Sequence, residues 1–245
     1  MDIHKPKPWH GVREFLKEYV IIVVGVLTAL AGEQAVEWLH WRHVAAETED
    51  HLAAGIAPDL VNAIERVAVH PCLQARFGEL ATALRRSDPV WTGSVIHDPG
   101  YHPNDRVFPL VVGSPGRVWP HAAWDSALAS GALTHMPRER VDLYGDLYRM
   151  VEVGRDQQRA EAEAFAPLAP LAFDRPLTVA ERTAFLGHLA VAEERARAIE
   201  GVSRQMLNTA RQLGLKPPPR ALAERMAAQR SDRGACVADV KLPLS

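Results

Sequence analysis

The residues of this chain best suited to metal chemistry lie in a stretch rich in proline and glycine. His97 and Asp98 are adjacent, and His102 follows them after one turn-forming Pro-Gly pair. Two imidazoles and a carboxylate can bind a divalent metal, so one hypothesis is a metal-dependent hydrolase. However, the pattern around them predicts no helix or strand that would fix their geometry. The sequence therefore favours the interpretation that these three side chains are exposed loop residues and not metal ligands.

The sequence motifs that commonly mark an enzyme do not occur. The chain has no GxSxG nucleophile motif, no P-loop and no GxGxxG dinucleotide motif. The segment Gly113-Ser114-Pro115-Gly116 is glycine-rich, but it lacks the lysine that follows in a P-loop, so we interpret it as a turn. The leading hypothesis is accordingly a non-catalytic helical protein without a cofactor, serving as an interaction, sensory or scaffold module.

A cluster of aromatic side chains is the other candidate for a binding pocket. It combines residues at the start of a predicted helix with two tyrosines further along the chain. The sequence favours the interpretation that these side chains are core and helix-cap residues. The members are Trp119, His121, Trp124, Asp125, Tyr144 and Tyr148.

Two cysteines, Cys72 and Cys236, occur far apart in the sequence and outside any zinc-finger spacing. They are either two inert thiols or one disulfide, and the redox state of the compartment decides between these. In an oxidising compartment they predict one intramolecular bridge.

The N-terminal region contains a long apolar segment. Between Tyr19 and Trp41 the only charged residues are Glu33 and Glu37. Its length fits a membrane-spanning helix over residues 19–41, with Tyr19 at one interface and Trp38 and Trp41 at the other. Two alternatives stay open: a cleaved signal peptide, which would give a secreted soluble protein, and a soluble core helix. The signal peptide would use the A-x-A-like site over residues 29–31.

The basic residues are distributed unevenly about this segment. Four of them precede it, whereas Arg42 is the only Lys or Arg after it before Arg66. The positive-inside rule therefore predicts that residues 1–18 are cytoplasmic and that residues 42–245 are periplasmic. The four preceding residues are Lys5, Lys7, Arg13 and Lys17.

Small residues recur at helical spacing within the segment. Gly25, Ala29 and Glu33 are four apart, so they share one face of a helix. Small residues at this spacing let two helices approach closely in lipid. Self-association through this face is one hypothesis; the other is that the small residues are incidental.

The first 40 residues carry a recognisable pattern. It runs from Lys5-Pro6-Lys7-Pro8 and Trp9-His10-Gly11 through Gly25-Val26-Leu27 to Glu33-Gln34. This pattern resembles an uncharacterised family of single-pass inner-membrane proteins of Gram-negative bacteria. The resemblance implies the same topology, and it implies no activity.

The rest of the chain predicts an all-α fold: a bundle with one irregular loop over residues 87–119 and a Pro-rich linker over 216–219. Pro58 should kink or divide the first helix, and Pro71 should begin the next. Val107–Val112 is a candidate edge strand. Gly131 should end a short helix, and Pro137 should open a longer one. Thr178 and Glu181 form a capping box that opens a helix reaching Leu213, which Gly214 stops. Its heptad seam, beginning at Phe185, predicts a partner helix in the same bundle or a second subunit.

Composition narrows the class of protein further. Hydrophobic residues make up 47% and charged residues 24%, as in ordinary folded proteins. The formal net charge of −2 argues against a broad surface for nucleic acid. The partners we predict are the membrane lipid bilayer, a second copy of the chain, and a protein that the sequence does not identify.

Overall fold

The computed structural model of the chain describes residues 11–86, 88, 90–96, 109–233 and 236–237. The fold is all-α, as the sequence predicts. The helices are α1 (Val12–Arg85), α2 (Ala122–Ser130), α3 (Arg138–Phe165), α4 (Val179–Gln212) and α5 (Pro219–Arg233). Two 3₁₀ segments, Ala132–His135 and Ala166–Ala172, connect them, and two short strands, β1 (Val90–Trp91) and β2 (Arg175–Pro176), pair antiparallel.

α1 is one helix of 74 residues that runs through both Pro58 and Pro71. The prediction that Pro71 begins a new helix is wrong, and Pro58 does not divide α1 either. A proline inside a helix removes one backbone hydrogen bond. Residues 59–69 are all buried in the bundle, and Leu73 and Phe77 continue the apolar face beyond Pro71. Tertiary packing therefore outweighs the two lost hydrogen bonds.

The second half of α1 packs against α3 and α4, while α2 and α5 lie on its flanks. Arg140 near the start of α3 pairs with Glu49, and Glu161 near its end pairs with Arg66, so α3 runs in the same direction as α1. α4 runs back, because Arg182 at its start lies 3.5 Å from the carbonyl of Leu84.

α4 confirms the predicted capping box and seam. The Thr178 hydroxyl accepts from the Glu181 N–H, and the Glu181 carboxylate accepts from the Thr178 N–H. Every residue of the seam is buried within this chain, so its partners are helices of the same bundle. Gly214, with φ of 73°, follows the helix end as predicted. The seam comprises Phe185, Leu189, Ala192, Ala196, Ile199, Ser203, Met206, Ala210 and Leu213.

In its described residues, the connection between α1 and α2 is irregular apart from one short strand. The prediction of a strand over Val107–Val112 is wrong for its described part, because residues 109–112 lie outside β1 and β2. β1 forms earlier, at Val90–Trp91. There the Trp91 indole N–H donates to the carbonyl of Leu171 at 2.8 Å. Pro109 has no backbone N–H to donate to a β-ladder, whereas Val90 and Trp91 each have one.

Candidate functional site

The first half of α1 is an exposed apolar rod. Residues 11–40 are exposed except for Val23, which is partly buried. Large apolar side chains such as Ile21 and Ile22 are 71% and 64% exposed. This is the one helix in the described part of the chain that is long and apolar enough to cross a membrane. Trp41 is the next partly buried residue, and Ala45 is the first residue of α1 that is buried.

The three ring-bearing residues predicted at the interfaces lie at the two ends of this rod. From Tyr19 to Trp41 a straight helix rises about 33 Å, close to the thickness of a bilayer core. Tyr19 stacks on Phe15, with ring centroids 6.3 Å apart. The Arg42 guanidinium lies over the Trp38 ring, 5.1 Å from its centroid. Both ends therefore carry the amphipathic rings that favour a membrane interface.

The face with small residues has no partner among the described residues. A Cβ added at Gly25 or Gly32 would meet no atom within 4 Å. Ala29 and Glu33 are exposed on the same helix. This face is consequently open to lipid or to a second helix.

The second half of α1 carries a buried carboxylate at the centre of what we call the Glu65 cluster: Asn62, Glu65, Arg117, Arg225 and Gln229. The Arg117 guanidinium donates to both oxygens of Glu65 at 2.7 Å, and Arg225 donates to Oε2 at 2.9 Å. Gln229 donates to Oε1 at 2.9 Å, and Arg225 also lies 3.3 Å from Asn62 Oδ1. The pKa of Arg117 is raised by its hydrogen bonds to Glu65. The cluster joins α1, the irregular connection and α5.

A second buried ion pair lies one residue along α1. The Arg66 guanidinium contacts the Glu161 carboxylate of α3, and both side chains are almost fully buried. Arg66 also donates to the Ser114 hydroxyl and to the Pro115 carbonyl, the latter at 3.0 Å. The turn over residues 113–116 thus has a structural partner inside the protein.

Asp59 is the one buried carboxylate of α1 with no hydrogen-bond partner among the described residues. Burial in apolar surroundings raises its pKa from 3.8 to about 8. Tyr148 of α3 is also fully buried, and its hydroxyl donates to the Leu52 carbonyl at 2.9 Å. Burial, with a smaller contribution from the Asp59 charge, raises the pKa of Tyr148. Asp59 therefore stays protonated at neutral pH.

The aromatic cluster predicted from the sequence is part of the apolar core. Trp124 stacks on Tyr148 with ring centroids 5.6 Å apart, and His121 meets Tyr148 edge-on at 5.6 Å. Trp119 and Tyr144 are buried in the same cluster. The His121 ring lies 3.1 Å from Asp125. These contacts agree with the interpretation as core residues for the tryptophans and tyrosines. Asp125 is exposed, and His121, at the N-cap of α2, makes no side-chain capping hydrogen bond.

Cys72 and Cys236 meet as a disulfide pair, with their Cα atoms 5.1 Å apart. The bridge ties the end of the described chain to α1. A cleft of about 490 Å³ lies beside it. Two of its arginines have backbone partners: Arg76 Nε donates to the Val111 carbonyl at 2.9 Å, and Arg233 donates to the Gly113 carbonyl at 3.1 Å. Of the Arg76 side-chain nitrogens, Nη2 alone is buried without a partner among the described residues. We therefore assign no ligand to this cleft.

Thiol labelling of the denatured, unreduced chain tests the bridge. We expect no labelled thiol before reduction and two after it, since the two cysteines are the whole cysteine content. In the chain-entropy account, closing so long a loop stabilises the folded state by about 4–5 kcal/mol, and measured values are often lower. Cys236→Ser should accordingly lower the unfolding midpoint. Two labelled thiols in the unreduced protein would contradict the pairing.

The residues proposed as metal ligands, His97, Asp98 and His102, lie outside the described residues. Within the described part of the chain, no group of three or more His, Cys, Asp or Glu side chains could hold a metal ion. The metal hypothesis consequently gains no support from the described geometry.

Comparison with protein-family models, with curated proteins and with solved structures finds no match to this chain. The resemblance of the first 40 residues to single-pass membrane proteins therefore stays a prediction.

Sequence reasoning missed the Glu65 cluster and the unpaired Asp59. The sequence does contain a signal for these buried polar groups. Asp59, Asn62 and Glu65 are three positions apart, and the residues between them are all apolar. Polar groups at such positions need buried partners. The partners of Asn62 and Glu65 include Arg117 and Arg225, which no local pattern connects to α1, and Asp59 has no partner among the described residues.

Proposed function

We propose that this chain is a single-pass protein of a bacterial inner membrane, with its N-terminus in the cytoplasm and its helical domain in the periplasm. The observation that carries the proposal is the division of α1: one continuous helix has an exposed apolar segment in its first half and packs into the bundle along its second half. An apolar rod of this size in water would be an aggregation hazard, whereas in lipid it is stable.

Anchored in the membrane, the protein acts as a non-catalytic interaction, sensory or scaffold module. α1 has neither glycine nor proline between Gly32 and Gly55, so no sequence break separates the membrane segment from the bundle. Any tilt or rotation of the membrane segment would reach the Glu65 cluster through that one helix. The binding partner on the domain side is a protein still to be found by mild detergent extraction.

Membrane fractionation tests the anchor, and reporter fusions test the orientation. We expect the intact chain in the membrane pellet after alkaline carbonate washing, because about 20 apolar residues hold a helix in lipid. A reporter that works only in the periplasm should be active when fused after Ser245. Release by osmotic shock of a chain shortened by residues 1–31 would instead establish a cleaved signal peptide.

Self-association through the membrane segment is tested with leucine substitutions. Gly25→Leu and Ala29→Leu should each lower a membrane two-hybrid signal from residues 1–42 by about ten-fold, since bulk on this face keeps two helices apart. Val24→Leu, on a different face, is the matched control and should retain the signal. Equal signals in all variants would assign the segment to anchoring alone.

A further inference from the structure

The turn between α2 and α3 lies level with the predicted end of the membrane segment. His135, the last residue of the 3₁₀ segment Ala132–His135, stacks face to face on Trp41, with ring centroids 3.9 Å apart and 9° between the ring planes. Trp41 is the predicted exit of α1 from the bilayer. The bundle therefore reaches down to the interface at this turn.

The remaining contacts along α1 set the height of the other elements. Glu49, which pairs with Arg140, is eight residues beyond Trp41, or about 12 Å further along the helix axis. Gly55, which packs against Ala123 of α2, is about 21 Å from Trp41. The lowest of these contacts is the one at His135.

α1 itself fixes the height of the bundle above the proposed membrane, because the exposed apolar segment and the bundle share this one helix without a flexible linker. Headgroup layers are about 5–8 Å thick on each side of the hydrocarbon core. If Trp41 lies at the boundary between the hydrocarbon core and the headgroup layer, a turn that contacts Trp41 directly lies within the headgroup layer.

The side chains of the turn suit that layer. The turn exposes Thr134, His135, Pro137 and Arg138. The Arg138 side chain is 95% exposed, and its guanidinium lies 3.9 Å from the Asp142 carboxylate. Ala132 and Met136 face the core and fix the turn to the bundle. Imidazole and guanidinium groups are donors that phosphate oxygens accept well.

We propose that the turn Gly131–Arg138 is a membrane contact surface: it rests in the phospholipid headgroup layer beside the exit of α1, where His135 and Arg138 bind lipid phosphates. This inference depends on the proposed membrane anchor, and it adds a fixed orientation of the domain on the bilayer. The partner is the phospholipid of the same membrane.

Site-specific fluorescence quenching tests the contact in the full chain, reconstituted with its disulfide intact in vesicles of phosphatidylcholine and phosphatidylglycerol. An environment-sensitive dye is attached to one introduced cysteine at a time: Thr134→Cys for the turn, Ala35→Cys for the membrane segment and Ala190→Cys for the remote part of α4. A headgroup spin label and an acyl-chain spin label serve as quenchers.

We expect strong headgroup quenching at Thr134, acyl-chain quenching at Ala35 and neither at Ala190. Quenching at Ala35 but not at Thr134 would overturn the contact while leaving the anchor intact, and it would move the membrane boundary toward Glu33. Loss of quenching at Ala35 would reject the anchor itself.

A charge reversal separates phosphate binding from mere proximity. His135→Glu with Arg138→Glu should reduce quenching at Thr134 by about two-fold or more, because an anionic lipid surface attracts a guanidinium group and repels carboxylates. Glu193→Lys with Glu194→Lys, on exposed α4, is the control and should leave it unchanged. Unaltered quenching in the reversed turn would overturn the assignment of His135 and Arg138 to lipid phosphates.

Discussion

Glu65→Ala is expected to lower the free energy of unfolding by about 3 kcal/mol, the lower end of the range for breaking a buried ion pair. The Glu65 side chain is fully buried and accepts hydrogen bonds from Arg117, Arg225 and Gln229. Alanine would leave two guanidinium groups close together without a counter-ion. Each guanidinium side chain is 31% exposed, so water limits the cost.

The measurement is urea unfolding of the full chain in detergent, followed by near-ultraviolet circular dichroism of the buried tryptophans. Glu193→Ala is the matched control, because Glu193 pairs with Arg197 on the exposed surface of α4 at 2.9 Å. An exposed helical pair contributes about 0.3–0.5 kcal/mol. Similar midpoints for the two variants would contradict a stabilising role for the Glu65 cluster.

The contacts of the Glu65 cluster also determine which helix is destabilised most in Glu65→Ala. Arg225 and Gln229 belong to α5, whose other buried residue is Met226. α5 is thus fixed mainly by polar contacts and by the bridge beyond it. In Glu65→Ala we expect faster hydrogen exchange in α5 than in α3, whose Tyr144, Leu147 and Tyr148 pack in the apolar core.

The sequence predicts well those boundaries that local chemistry sets. Pro137 precedes α3, Thr178 caps α4, and Gly131 and Gly214 end helices with positive φ. In each case a single residue and its immediate neighbours determine the backbone conformation. The all-α class and the seam of α4 follow from apolar spacing in the same way.

Long-range packing explains where sequence reasoning fails. Pro71 has the signature of a first helical residue, yet α1 continues because its flanking residues are held by α4 and the core. Glu65 has the signature of a solvated residue, yet it is buried because Arg117 and Arg225 reach it from distant segments. A single-helix pattern contains neither partner, so only the assembled bundle reveals the cluster.

The apolar segment of α1 is easier to predict from sequence than these long-range contacts, because the suitability of a helix for a membrane depends on its own composition. Tyr19, Trp38 and Trp41 are identifiable from spacing alone. The stacking of Trp41 on His135 is different, since it depends on how α2 returns along α1. Therefore a helix long and apolar enough to cross a membrane is predictable from sequence, but the packing of the bundle against the end of that apolar segment is not.

The second large effect concerns Asp59, whose pKa of about 8 lies far above its ordinary value of 3.8. Between these two values the folded chain keeps a proton that the unfolded chain has released. The folded state then binds more protons, so this group lowers stability as pH rises. The slope is about 1.4 kcal/mol per pH unit in that window.

Asp59→Asn should therefore abolish this slope, because the amide has nearly the same shape and does not ionise. Relative to wild type, the variant should gain about 3 kcal/mol between pH 5 and pH 7 in urea unfolding of the full chain in detergent. The lowered pKa of His70 gives an opposite slope below its ordinary pKa of 6.5, but both proteins share it and it cancels in the comparison. Asp156→Asn alters an exposed carboxylate that pairs with Arg159, so it should follow the wild-type pH dependence. If Asp59→Asn also follows wild type, Asp59 is ionised at neutral pH and must have found a partner inside the fold.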